Sequence, residues 1–150
     1  MTTATATPAT PQAAIENVNT SRRLIEELWN KGNLAVADEA FTSDYVGHDP
    51  ATPTELRGPA AVKQSATLYR AAFPDLRLNI EAIIAEGDLV AARWTSSGTH
   101  TGDLMGIPPT GRKTALTGIT ISRFENGRIA EDWVNWDALG LMRQLGVVAG

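Results

Sequence analysis

An α+β domain, in which one curved antiparallel sheet wraps around packed helices, is the architecture this sequence predicts, on three observations. Apolar residues recur at helical spacing through the first half of the chain and at a spacing of two through the second. Pro74 marks the change of period, because proline cannot continue a helix and the pattern beyond it alternates. The runs that follow are consecutive and separated by short turns or one loop, which makes them antiparallel neighbours.

Residues 1–13 carry Thr, Ala and Pro and offer no large apolar side chain beyond Met1, so a disordered tail is expected there and a single domain over 14–150. Ile15, Val18, Ile25, Leu28 and Trp29 recur near helical spacing and stop at Asn30-Lys31-Gly32, with Gly32 suited to the left-handed C′ position. Asn33 is the expected cap of a short second helix bearing Leu34, Ala37 and Phe41. Gly58-Pro59 opens a third, which places Val62, Ala66, Tyr69 and Phe73 on one face. After Pro74, Leu76, Leu78 and Ile80 alternate with Arg77, Asn79 and Glu81 up to the turn Glu86-Gly87-Asp88. Residues 89–101 form the next strand and 102–111, with Pro108-Pro109, a loop. Residues 114–124 and 129–136 make two more strands joined at Glu125-Asn126-Gly127, and 138–145 close the chain as a helix.

A chain of 150 residues, 43% of them hydrophobic, buries about 70% of its unfolded surface and needs no staple. The absence of cysteine excludes disulfides, thiol nucleophiles and thiolate zinc sites, and leaves the cytoplasm as the default location. With 13 basic against 17 acidic residues and no basic run, nucleic acid is not an expected partner. No apolar stretch is long enough to span a membrane. There is no phosphate loop, no dinucleotide fingerprint and no serine elbow. His48 and His100 are the only histidines, far apart in sequence, so no metal is expected.

If the sheet encloses a cavity, one parity of each strand lines it. The even set is Val46 and His48; Trp94, Ser96, Gly98 and His100; Leu116, Gly118, Thr120 and Ser122; and Asp132, Val134 and Trp136. Aromatic walls, small residues and a few hydrogen-bonding groups are the make-up of a small-molecule site. A two-residue turn at Asn126-Gly127 would put Ser122 beside Glu131, whereas a three-residue loop puts it beside Ala130 and keeps the even residues together. On the opposite face Ile119, Ile121 and Trp133 form an apolar strip suited to a homodimer contact through the sheet.

The series Phe73-Pro74-Asp75, Ala85-Glu86-Gly87-Asp88, Gly98-Thr99-His100-Thr101-Gly102, Gly106-Ile107-Pro108-Pro109-Thr110-Gly111 and Arg143-Gln144-Leu145-Gly146 resembles the SnoaL-like polyketide cyclases over residues 15 to 147. The resemblance implies the cone-shaped α+β barrel of the nuclear-transport-factor-two superfamily, usually homodimeric, with a ligand cavity inside. It also implies a cofactor-free mechanism, in which a carboxylate in an apolar cavity removes a proton next to carbonyl groups and the resulting enolate closes a ring. In this sequence the cyclase base falls on Val134 and its polar partners on Gly118 and Thr120. The Asp-Arg-Asp array of related epoxide hydrolases falls on Ser96, Trp94 and Val134, which removes that chemistry.

Three functions follow as expectations. The lost carboxylate favours polyketide tailoring of the ring-hydroxylation type, with His48 and Thr120 holding an oxygen substituent and a reductase as partner. Aldol cyclisation with Asp132 or Asp137 as a displaced base is the second, and binding of a small ligand without chemistry the third. The expected catalytic residues are His48, Asp132 and Asp137, and the expected substrate-binding residues are Trp94, Ser96, His100, Leu116, Gly118, Thr120, Val134 and Trp136. The plain alternatives are a solvated Asp132 paired with Arg123, an Asp137 that caps the last helix, and a His48 that stabilises a turn.

Overall fold

Thr10 caps α1 (Pro11–Arg23) by accepting from the Ala13 amide (3.1 Å), and Pro11 occupies the first turn, where its missing N–H costs nothing. The structure, a computed structural model, describes residues 3–149. The first helix thus begins ahead of Ile15, inside the stretch expected to be disordered. Capping chemistry rather than apolar spacing sets its start. Thr7 is fastened as well: its amide donates to Asp88 Oδ1 and its carbonyl accepts from the Asp88 amide, each at 2.8 Å.

The helix widens over Leu24–Asn30, where Lys31 N donates to Glu26 O (3.1 Å), and it ends at Gly32 with φ 74°. Arg70 Nη1 closes that end by donating to the carbonyls of Trp29 and Asn30. The next helix, α2 (Val36–Ala40), is shorter than expected and is preceded by Ala35, not capped by Asn33. Phe41 does not belong to it but opens β1 (Phe41–His48), where it meets the edge of Tyr45. β2 (Leu56–Arg57) is too short to carry a period. α3 (Gly58–Ala72) starts at Gly58-Pro59 and stops before Pro74.

The remaining chain is a meander, β3 (Arg77–Glu86), β4 (Leu89–Thr99), β5 (Lys113–Glu125) and β6 (Arg128–Trp136), followed by α4 (Ala138–Leu145). The six strands lie in the order β2-β1-β6-β5-β4-β3. The sheet is mixed, because β1 pairs with β6 in parallel while every other pair is antiparallel. A parallel pair requires a long crossover, and β2, α3 and the strands β3 to β5 supply it.

The β5–β6 hairpin corrects the loop expectation. Asn126 and Gly127, at φ 50° and 79°, make a two-residue turn that pairs Glu125 with Arg128 and Phe124 with Ile129. A bulge then places Ala130 outside the regular pairing, so Ser122 faces Asp132 and the even residues of both strands share a face after all. Leu28, Val36, Ala37, Ala66, Val90 and Ile129 fill the core between helices and sheet. Phe73, Leu104, Leu141 and Leu145 seal the other end under α4. Among the described residues no helix is long and apolar enough to cross a membrane.

Candidate active site

The concave face of the sheet and the helices leave a cavity of about 220 Å³ between them, far more than a single water requires. Of the residues expected to meet a ligand, Trp94, Ser96, Leu116, Thr120, Val134 and Trp136 line it. Trp94 Nε1 donates to Thr120 Oγ1 (3.1 Å), which fixes the indole against the wall. Gly118 is not itself part of the lining. A Cβ there would fall inside the Trp94 ring, so glycine makes room for the indole.

Asp132 also lines the cavity, and its surroundings are those of a functional group rather than a solvated one. Oδ2 accepts from the Tyr45 hydroxyl (3.1 Å), while Oδ1 is shut off from water with no hydrogen-bond donor. Burial drives the carboxyl pKa up to about 6, against partial relief from Ser122 and Tyr45, and the charge of Glu131 adds to the rise. The expected alternative pairing with Arg123 does not form. Arg123 holds Glu125 (2.7 Å) and Glu131 (3.4 Å) on the outer face.

Two expected catalytic residues have their side chains engaged apart from Asp132, although His48, unlike Asp137, also borders the cavity where β1 ends. In β1 the parallel register puts Gly47 beside Asp132 and His48 beside Trp133, so the odd residues of this strand face inward. The His48 ring consequently stacks on Trp133 (5.7 Å between ring centres), and Nε2 donates to Glu131 Oε2 (2.6 Å), while the residue still borders the cavity mouth. Asp137 is exposed and accepts from the Gly140 amide (2.9 Å) as the N-cap of α4. Asp137→Ala is therefore expected to cost about 1 kcal/mol of stability and leave turnover intact, checked by a thermal melt beside an activity assay.

His100 is corrected likewise. It is fully buried under Phe73, its Nδ1 accepts from the Thr110 amide (3.2 Å), and its carbonyl accepts from Gly111 N (2.8 Å). It pins the 102–111 loop instead of meeting the cavity.

Tyr45, Asp49 and Tyr69 are lining residues that were not expected. Burial, and then the charge of Asp132, push the Tyr45 hydroxyl well above its ordinary pKa, so it remains a donor. Asp49 sits where β1 ends, accepting from Ala51 N (2.8 Å) and from the Trp136 indole (3.1 Å). Tyr69 presents its ring to the edge of Trp136 (6.3 Å), and burial and Asp49 raise its pKa too. Tyr45, the large aromatic of β1 nearest Asp132, was the signal for the inward face of that strand. Among the described residues no Lys or Arg lines the cavity, and no group of three or more His, Asp and Glu is arranged to hold a metal.

The chain is 34% identical over 134 residues to the aklanonic acid methyl ester cyclase DauD of Streptomyces sp. (strain C5), covering 83% of this chain and 78% of that protein. The structure superposes on a proposed SnoaL-like polyketide cyclase from Jannaschia sp. CCS1 with a TM-score of 0.84 at 23% identity, over 95% of this chain and 99% of that one. It is also similar to AclR, a proposed hydroxylase from Streptomyces galilaeus, with a TM-score of 0.80 at 28% identity over 91% and 85% of the two chains. The model of the SnoaL-like polyketide cyclases matches residues 19–145, and the chain belongs to that family.

Proposed function

We propose that the protein is a polyketide cyclase that closes a carbon ring by intramolecular aldol addition, with Asp132 as its base. The supporting observation is a buried carboxylate on the cavity wall with one oxygen held by Tyr45 and the other without a donor. Asp132 takes a proton from a carbon beside a carbonyl group, and the enolate carbon bonds to a second carbonyl carbon as that C–O π bond breaks. The new alkoxide recovers the proton from Asp132, so the product is an isomer of the substrate and no co-reactant is consumed. Burial makes Asp132 a stronger base than an ordinary aspartate while leaving it ionised near neutrality. Trp94 and Trp136 offer flat faces to a planar guest. The likeness to DauD supports an aromatic polyketide ester as the substrate class.

Hydroxylation remains a second reading, supported by Val134 at the family's base position and by the likeness to AclR. The two part cleanly in one experiment. Incubated with aklanonic acid methyl ester, a cyclase returns a product of unchanged mass and altered retention. A hydroxylase adds one oxygen atom and needs oxygen and a reductase, and a carrier returns the compound untouched. The same reading includes a homodimer joined through Ile119, Ile121 and Trp133, of which Ile119 and Ile121 are exposed.

A further inference from the structure

Glu131 and Asp132 are consecutive in β6 and so project to opposite faces of one strand, the first outward and the second into the cavity. The outer carboxylate is tied down from both neighbouring strands. Its Oε2 accepts from His48 Nε2 of β1 (2.6 Å), and its Oε1 accepts from Nε and Nη2 of Arg123 of β5 (3.4 Å each). His48 in turn turns Nδ1 toward Glu55 (3.4 Å) and stacks on Trp133, while Arg123 also holds Glu125 (2.7 Å). An imidazolium donates to Glu55 and Glu131 at once, whereas a neutral ring has a proton for only one of them. On the inner side, Tyr45 and Ser122 face Asp132, and Asp49 carries the next charge along the cavity.

We propose that Glu131, held from the outer face by His48 and Arg123, is a positioning residue that sets through the strand how tightly Asp132 holds its proton. The inference rests on Asp132 being the base. Two charges on either side of a single β-strand lie on the order of 8–10 Å apart, close enough to interact across partly desolvated protein. The charge of Glu131 is among the influences that raise the Asp132 pKa, which agrees with this arrangement. His48, which borders the cavity where β1 ends, turns its ring toward Trp133 and offsets Glu131 from that side.

The test is a carboxyl 13C NMR titration of the intact protein labelled at aspartate, with the Asp132 resonance assigned by its loss in Asp132→Asn. Glu131→Gln removes a negative charge and is expected to lower the Asp132 midpoint by about 0.5–1 pH unit. His48→Gln removes the partner that offsets that charge and moves the midpoint the opposite way. The double variant lies nearer to Glu131→Gln than to His48→Gln, because His48 acts mainly through Glu131. A midpoint unmoved by Glu131→Gln, or moved in the same direction by both single variants, overturns the proposal.

The acid limb of the ring-closure rate, measured on the same variants, shifts in step with the resonance if both claims hold. A resonance that moves while the acid limb stays put supports the outer network and removes Asp132 as the base. An immobile resonance with turnover lost in Asp132→Asn does the reverse.

Discussion

Asp132→Asn is expected to slow ring closure by about 10²- to 10⁴-fold and at the same time to make the protein more stable at neutral pH. The two effects share one cause. Folding carries this carboxyl from the 3.8 of an ordinary aspartate to about 6, so the folded chain binds the proton more tightly than the unfolded one. Stability therefore falls as pH rises between about 4 and 6, and above that window the ionised carboxylate costs about 3 kcal/mol. An amide accepts the Tyr45 hydrogen bond and brings no charge to bury. The melting temperature should rise by roughly 6–12 °C at pH 7 to 8, with the gain vanishing toward pH 4. Paired melts and turnover at a series of pH values check both halves. An equal melting temperature at every pH would contradict the buried charge, and unchanged turnover would contradict the base.

Gly118→Ala should damage the cavity wall without touching a polar group. Gly118 lies on β5 between Trp94 on β4 and Trp136 on β6. An added methyl would enter the Trp94 ring, and the indole would have to leave its bond to Thr120. Overpacking of this kind costs about 1–3 kcal/mol, and the ordered near-ultraviolet signal of tryptophan should weaken with it. With the indole displaced, KM rises more than kcat falls. Trp94→Phe frees the space that the methyl needs, so the double variant should recover much of the lost stability. Failure of that recovery would mean that the cost lies in the backbone of β5 and not in the ring.

How far the sequence could be read depended on what fixes each strand's face. In β4, β5 and β6 alternation was long enough to choose the inner side, and Trp94, Thr120, Asp132 and Trp136 do face one cavity. The right parity came with the wrong turn. Asn126-Gly127 alone make the hairpin, and the bulge at Ala130, which no local preference marks, restores the register. β1 could not be read in the same way, because its face depends on a parallel partner more than 80 residues away, as the separation of His48 and Glu131 illustrates. Alternation also gives direction but not depth. It placed Asp132 inward without revealing that one oxygen of the carboxylate is closed off from water, and it left Tyr45 and Asp49 unnoticed. Asp137 was legible as a cap because capping is decided within four residues.

The lining has one further consequence, which concerns the guest. Asp49 and Asp132 look into a chamber that no Lys or Arg lines among the described residues, with His48 at its mouth as the one basic group. A free acid would add a third like charge there, with no lysine or arginine to offset it. On the proposed reading, an ester or amide of a precursor is expected to bind more tightly than the corresponding free acid.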